Sequence, residues 1–267
     1  MTEQTADHRT PGTTAPSGRI ALITGANRGL GRRSAQHLAA AGTDLILTYR
    51  SHAEEAEEVL AHARGLGRTA VAFRLDTTEL SAFPAFAEDV RAALREHWGR
   101  DDFDFLVNNA GSAAMASVAE TTEEQVDLMY QVHFKGPYFL TQRLLPLIKD
   151  GGRVLNFSTG LTRFTGENAA PYASMKGAVE VLTRYLAKEL GPRGIAVNAI
   201  APGATATDFG GGGLRDDEQV RAQLGAVTAM GHVGDPEDIG AAVAALLAEG
   251  TGWITGQRIE ASGGMLL

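Results

Sequence analysis

Short runs of Ile, Val and Leu alternate with longer amphipathic stretches along the chain from Arg19 onward. The short runs are continuously apolar, which is typical of strands buried on both faces of a sheet. Alternating strands and helices predict a parallel sheet that is covered by helices and joined by right-handed crossovers. We therefore predict an α/β fold, a doubly wound parallel sheet that forms a single domain over residues 18–267.

The alternation of apolar and amphipathic stretches predicts seven strands and six helices, preceded by a tail. The predicted strands are Arg19–Thr24, Asp44–Tyr49, Thr69–Leu75, Phe103–Asn108, Arg153–Ser158, Ile195–Ile200 and Gln257–Glu260. The predicted helices are Leu30–Ala41, Ala53–Leu66, Leu80–Trp98, Thr122–Lys149, Pro171–Leu190 and Pro236–Ala248. Residues 1–17 are rich in Thr, Pro and Ser and have almost no large apolar side chain, which predicts a disordered tail.

Composition argues against several classes of function. A net charge of −8, from 24 basic and 32 acidic residues, argues against nucleic acid or an anionic membrane as a partner. The absence of cysteine excludes disulfides and thiolate chemistry, and the 7 histidines show no metal-ligand spacing, so no metal site is predicted. No apolar run is long enough to cross a bilayer and no secretory signal is apparent, so we expect a cytoplasmic protein.

Small and polar residues follow the carboxyl ends of six predicted strands, at the edge where sheets of this kind bind ligands. The turn after the first strand is rich in glycine and consists of Gly25, Ala26, Asn27, Arg28, Gly29, Leu30 and Gly31. Glycine lets the backbone approach a pyrophosphate closely, and the N–H groups of the following helix attract its charge. Taken alone, this segment is also compatible with a tight turn that binds nothing.

Four motifs occur in order along the chain: Thr-Gly-X-X-X-Gly-X-Gly from Thr24, Asn-Asn-Ala-Gly from Asn108, Tyr-X-X-X-Lys from Tyr172 and Pro-Gly from Pro202. With these motifs the chain resembles the short-chain dehydrogenase/reductase family from about Arg19 to its C-terminus. The resemblance implies a Rossmann-type domain, a nicotinamide cofactor and hydride transfer to or from a carbonyl carbon. It also implies a homodimer or homotetramer, in which the apolar residues 263–267 suit burial at a subunit contact.

The end of the second predicted strand favours NADPH/NADP+ as the cofactor. An NAD site has an acid there to bind the ribose 2′-hydroxyl, and this sequence has none. A 2′-phosphate could instead bind between Arg28 and Arg50, with Ser51 donating a hydrogen bond to it. The alternative is that both arginines are solvated surface residues without a ligand. At the other strand ends the resemblance implies cofactor contacts for Asp76, Thr77, Asn109, Ala110, Gly111, Pro202, Gly203, Thr205 and Thr207.

Tyr172 and Lys176 lie four residues apart, so a helix places both side chains on one face. An ammonium beside a phenol favours the phenolate and lowers the pKa of the tyrosine. The resemblance implies that Tyr172 donates a proton to the substrate carbonyl, and that Lys176 also bonds the nicotinamide ribose. It further implies that the Thr159 hydroxyl polarises the substrate carbonyl, with the Ser158 hydroxyl as the alternative. Alternation along a strand points only one of these two side chains at the substrate.

Two further segments bear on the predicted site. His133 stands where the family often has an asparagine, and an imidazole that titrates near neutrality is a candidate for a proton relay, with a structural histidine as the alternative. Gly136 and Pro137 predict a kink in the same helix. Four glycines at residues 210–213 predict a mobile lid over the substrate, with a floppy loop as the alternative.

Together these features predict an NADPH-dependent reductase of a small-molecule ketone, or the reverse alcohol dehydrogenase. A 3-oxoacyl thioester is among the candidate substrates. The unusual residues Thr159 and His133 also leave an alternative, a nucleotide-binding regulator or scaffold that kept the fold and lost turnover.

Overall fold

Seven strands lie side by side in one parallel sheet, in the order β3-β2-β1-β4-β5-β6-β7. The computed structural model describes residues 18–267, so the predicted tail, residues 1–17, lies outside the described residues. The strands are β1 (Ile20–Ile23), β2 (Asp44–Tyr49), β3 (Ala70–Arg74), β4 (Phe103–Asn108), β5 (Ile148–Phe157), β6 (Ala196–Pro202) and β7 (Arg258–Ala261). The chain starts in the middle of the sheet and completes one half before the other, which confirms the predicted doubly wound α/β fold.

Helices cover both faces of this sheet. They are α1 (Gly29–Ala40), α2 (Ala53–Gly65), α3 (Phe83–Trp98), α4 (Glu123–Tyr130), α5 (Gly136–Leu144), α6 (Ala170–Leu190), α7 (Gly213–Asp216), α8 (Glu218–Ala226) and α9 (Pro236–Leu247). One core lies against α3, α5 and α6, and the other against α1, α2 and α9. Ile20 and Leu22 of β1 belong to the first core and Ala21 and Ile23 to the second, which explains why the strand is continuously apolar. Within residues 18–267, no helix combines the length and the apolar character that crossing a bilayer requires.

The predicted long helix Thr122–Lys149 is wrong in extent. Thr122 caps α4, which leads into a π-helical turn at Gln131–Lys135 before α5 begins. The helical segment has ended by Ile148, which is the first residue of β5. Pro137 has no N–H to donate and its ring crowds the carbonyl four residues earlier, which favours a wider turn at this point. The predicted kink is therefore a π turn, and it contains His133.

The glycine-rich segment predicted as a lid leads into two helices that the sequence analysis did not predict. Gly210, Gly211 and Gly212 have φ angles of 67°, 93° and 82°, in the left-handed region that favours glycine. Gly213 is the first residue of α7, and α8 follows after the capping residue Asp217. The segment borders the cavity that contains the predicted site residues.

Candidate active site

A cavity of about 1100 Å³ opens beyond the carboxyl ends of β1, β4, β5 and β6, where the strand order reverses. The predicted site residues that line it are Gly25, Asn27, Arg28, Gly29, Leu30, Arg50, Ser51, Asp76, Thr77, Asn109, Ala110, Gly111, His133, Ser158, Thr159, Tyr172, Lys176, Pro202, Gly203, Thr205 and Thr207. Gly31 is the one predicted site residue that does not line it. The fold thus brings residues from six strand ends to one place.

Gly31 lies in the first turn of α1 and lets this helix approach Gly25 and Ala26 closely. A Cβ atom built on Gly31 would lie 2.4 Å from both the Gly25 carbonyl oxygen and Asn109 Nδ2. Asn109 Nδ2 donates to the carbonyl oxygens of Thr24 and Gly25, at 2.8 and 3.0 Å, and so braces the turn. No side chain caps α1 and no acid lies in its first turn, so its N-terminus remains suited to an anion. These features fit the pyrophosphate of a dinucleotide.

The residues predicted to favour NADPH all line this cavity. Arg28 Nη1 is 2.9 Å from Asp208 Oδ2, so this guanidinium already has an acidic partner. Arg50 and Ser51 are exposed at the end of β2. Asn27 Nδ2 donates to Glu55 Oε2 of α2 at 2.7 Å, a contact that the sequence did not predict.

Other predicted cofactor residues form short local bonds that shape the cavity wall. Asp76 Oδ1 accepts from the backbone N–H of Thr78 at 2.9 Å, and the Thr205 hydroxyl donates to the carbonyl of Gly203 at 3.1 Å. The Thr207 hydroxyl accepts from the N–H of Phe209 at 3.3 Å. Among residues 18–267, no three acidic or histidine side chains are grouped so as to hold a metal ion.

Tyr172 and Lys176 are both buried on the face of α6 that borders the cavity. Lys176 Nζ donates to the Phe157 carbonyl oxygen at 2.7 Å and lies 5.7 Å from the centre of the Tyr172 ring. Burial raises the pKa of Tyr172 to about 12, and a hydrogen bond with Thr159 offsets part of this rise. Burial lowers the pKa of Lys176 to about 7. The predicted lowering of the tyrosine pKa is therefore wrong for the chain alone, because desolvation of the phenolate prevails.

The shifted pKa of Lys176 predicts a stability difference that depends on pH. Between about pH 7 and 10.5, Lys176 is protonated in the unfolded chain but not in the folded chain. Its contribution to the free energy of unfolding therefore rises with pH, by at most about 1.4 kcal/mol per pH unit. Lys176→Met, which removes the buried ammonium, should therefore lose stability relative to wild type as pH rises from 7 to 9. Urea unfolding of cofactor-free protein measures this difference. The exposed Lys188→Met variant is the control, and a pH-independent difference for Lys176→Met would contradict the assignment.

Thr159 and Ser158 point to different partners. The Thr159 hydroxyl offsets part of the rise in the pKa of Tyr172, whereas the Ser158 hydroxyl donates to Glu180 Oε1. This separation is what alternation along the strand predicts. Because Ser158 is engaged by Glu180, Thr159 is favoured as the hydroxyl that acts on the phenol, and its chemical role remains a prediction.

His133 lies on the other side of Tyr172, with the two rings edge to face and their centres 5.0 Å apart. Its Nε2 is 2.6 Å from the Ser112 carbonyl oxygen, which can only accept, so Nε2 carries the proton and donates. Nδ1 is buried without a hydrogen-bond partner in the described chain. Burial, reinforced by the charge of Lys176, lowers the pKa of His133 to about 3. The expectation of an imidazole that titrates near neutrality is thus wrong, and the structure favours a neutral, positioning histidine.

The cavity wall beyond the predicted residues is largely apolar. The Phe209 ring lies 5.7 Å from the Tyr172 ring, centre to centre. Further apolar side chains that sequence reasoning missed are Met115, Leu161, Phe164, Leu214, Val220, Leu224 and Met265. Most of them lie in irregular segments or in α7 and α8, where no periodic pattern identified them.

Comparison with known proteins identifies the family. A family described as enoyl-(acyl carrier protein) reductase matches residues 25–266. The hydroxynaphthalene reductase-like protein Arp2 of Metarhizium brunneum is 35% identical over 93% of this chain and 95% of its own length. The short-chain dehydrogenase/reductase of Serratia marcescens is 29% identical, with a TM-score of 0.85 over 94% of this chain and 98% of its own. The chain belongs to the short-chain dehydrogenase/reductase family.

A second solved structure comes from the same family. The angucycline C-6 ketoreductase LanV, solved with bound NADP, is 37% identical, with a TM-score of 0.89 over 95% of this chain and 98% of its own. As a short-chain dehydrogenase/reductase, the present protein is an oxidoreductase of a family that uses nicotinamide cofactors. This bears out the family and the class of enzyme predicted from the four sequence motifs.

Proposed function

We propose that the protein reduces a ketone to a secondary alcohol with NADPH. The observation that carries this proposal is the buried Tyr172 phenol, which lines the same cavity as Thr159 and the glycine-rich turn. A nicotinamide bound there supplies a hydride to the carbonyl carbon. The chain supplies the proton and the groups that orient the carbonyl.

The proposed roles follow from the positions of the side chains. Tyr172 donates its phenolic proton to the carbonyl oxygen during reduction and takes it back in the reverse direction. The Thr159 hydroxyl orients the carbonyl beside the phenol. Lys176 bonds the ribose hydroxyls of the cofactor, and its ammonium favours the developing phenolate. His133 packs against the edge of the Tyr172 ring and holds that ring in place as a neutral group.

The proposed preference for NADPH rests on Arg28, Arg50 and Ser51 and on the absence of an acid at the end of β2. Arg50→Asp should lower the affinity for NADPH by about 100-fold, because it removes a charge-assisted bond to the 2′-phosphate and adds repulsion. NADH lacks this phosphate, so its affinity should change little. Fluorescence titration of the variant with both cofactors measures the two effects, and equal losses would contradict the assignment.

The proposed substrate is a polycyclic aromatic ketone. Phe209 lies beside Tyr172, and Phe164 and Leu161 provide further flat or broad apolar surfaces in the same cavity. Two similar proteins carry names that refer to such compounds, a hydroxynaphthalene reductase-like protein and an angucycline ketoreductase. A fused ring system buries more apolar surface on these walls than a short aliphatic ketone does, which strengthens binding in the transition state as well.

A comparison of substrates tests this proposal. A bicyclic aromatic ketone that buries about 100 Å² more apolar surface than butanone should gain about 2.5 kcal/mol, or about 70-fold in kcat/KM. NADPH oxidation with both ketones measures the ratio, and Phe164→Ala should reduce it. Phe139→Ala, which changes an exposed ring outside the cavity, is the control. Faster reduction of butanone or of an acetoacetyl thioester would overturn the aromatic assignment.

We also propose that the protein forms a homodimer or homotetramer. Exposed apolar side chains on α4, α5 and α6, among them Val126, Tyr138, Val181 and Tyr185, support this proposal. At the C-terminus Leu267 is exposed, whereas Met265 is buried within the same chain and lines the cavity. Only the last part of the segment 263–267 is thus available for a subunit contact.

A further inference from the structure

Glu180 belongs to the same face of α6 as the proposed catalytic pair, because Tyr172, Lys176 and Glu180 follow one another at intervals of four residues. Its carboxylate is largely buried, with 14% of the side chain exposed. Oxygen Oε1 accepts from the hydroxyl of Ser158, from that of Thr162 at 2.6 Å and from Arg258 Nε at 2.8 Å. One carboxylate oxygen therefore joins α6, the segment after β5 and β7.

Arg258 reaches this carboxylate from the edge strand of the sheet. Its register partner in β6 is Ala199, whose methyl side chain leaves room for the arginine to cross toward β5. Arg258 Nη2 donates to the main-chain carbonyl oxygen of Thr159 at 3.1 Å. Nη1 donates to Glu260 Oε2 at 3.0 Å, so a second carboxylate holds the other side of the guanidinium. Nε also donates to the Thr162 hydroxyl oxygen at 3.1 Å, so the planar fork fixes four partners at once.

The Thr159 carbonyl is held where β5 gives way to a turn. Residues 160–162 form a 3₁₀ turn, and Thr159 stands before it with extended backbone angles. Its carbonyl oxygen takes no part in the ladder between β5 and β6, which ends at Phe157. Its shortest contacts with side chains are to Thr162 Oγ1 and Arg258 Nη2, at 2.9 and 3.1 Å, and it shares the single hydroxyl hydrogen of Thr162 with Glu180. Arg258 and Thr162, two of the three side chains that Glu180 bonds, therefore determine where the backbone of Thr159 lies.

We propose that Glu180 and Arg258 are positioning residues, which hold the Thr159 hydroxyl against Tyr172 and thereby set the turnover rate and the stereochemistry of reduction. The proposal rests on the role proposed above for Thr159. Neither side chain lines the cavity, so both act through Thr159 and its neighbours. A small displacement of an orienting hydroxyl is costly because hydride and proton transfer need the carbonyl in one geometry.

Conservative variants of the pair test this role. Arg258→Lys keeps the charge but cannot bond these four partners as a planar fork, and Glu180→Gln keeps an acceptor but loses the charge. Each should lower kcat by about tenfold with a ketone as substrate. The KM for NADPH should stay within about twofold, because the cofactor cradle is separate. The enantiomeric ratio of the alcohol should fall, which a change in stability alone would not produce.

A double-mutant cycle links the effect to Thr159. In Thr159→Val the orienting hydroxyl is gone, so adding Arg258→Lys should cost little further activity. Arg153→Lys is the matched control, since Arg153 also bonds a hydroxyl and a carbonyl, those of Thr251 and Ala248, and lies outside the cavity. It should keep kcat and enantiomeric ratio.

The outcomes separate the two proposals. Full activity of Thr159→Val would refute the role of Thr159 itself. A loss in Thr159→Val with normal kcat and enantiomeric ratio in both Arg258→Lys and Glu180→Gln would refute only the positioning role. Additive losses in the cycle would refute it as well. Thermal melts identify any variant that does not fold, and the other member of the pair then decides the question.

Discussion

We expect Tyr172→Phe to abolish ketone reduction while cofactor binding stays intact. The substitution removes one hydroxyl and keeps the ring that packs against His133 and Phe209. The neighbouring titratable groups are poor replacements for Tyr172 as the proton donor. The pKa of His133 is lowered to about 3, and Lys176 Nζ donates to the Phe157 carbonyl oxygen. Loss of a general acid in such a position lowers kcat by about 10²–10⁴-fold.

The measurement is NADPH oxidation at saturating ketone, together with a fluorescence titration of NADPH. Tyr185→Phe is the matched control, because it removes a phenol hydroxyl from the same helix at a residue that does not line the cavity. Turnover that survives in Tyr172→Phe would remove the tyrosine from the mechanism. A wild-type protein that binds NADPH and reduces none of the ketones would instead support the nucleotide-binding scaffold that the sequence left as an alternative.

The fold was predictable because strands that are buried on both faces of the sheet are continuously apolar in sequence. The strand Ile20–Ile23 supplies two cores at once, so every residue in it is apolar. The error in the helix Thr122–Lys149 has an equally physical origin. A π turn such as Gln131–Lys135 changes the local twist by one residue, and the apolar residues around it still recur at a helical spacing.

The cofactor turn was predictable because its chemistry resides in the backbone. Glycine is needed where Cβ would collide, and the collision partners of Gly31 lie in two of the family motifs. The contacts that the sequence did not predict join distant segments through side chains. Thr159 and Arg258 are separated by 99 positions, and nothing local marks either as the other's partner. The raised pKa of Tyr172 was missed for a related reason, since it depends on burial that only the folded chain creates.

We expect Gly31→Ala to destroy the cofactor site, although the substitution adds a single methyl group. The new Cβ would lie 2.4 Å from the Gly25 carbonyl oxygen and from Asn109 Nδ2, and 3.0 Å from Ala26 Cα. Backbone atoms form two of these contacts and cannot rotate away, so α1 and the turn must separate. Overpacking of this kind costs about 3 kcal/mol at the upper end of its range, which corresponds to about 100-fold in NADPH affinity if the turn absorbs it.

Gly65→Ala provides the control for this variant. Gly65 is the last residue of α2, and a Cβ added there has no neighbour within 4 Å. Alanine favours helix over glycine, so Gly65→Ala should bind NADPH as wild type does and melt at the same temperature or slightly above it. Fluorescence titration and thermal melts of both variants measure the contrast. An unchanged NADPH affinity in Gly31→Ala would mean that the cofactor does not bind at this turn, because the turn could not have kept its shape around the new methyl group.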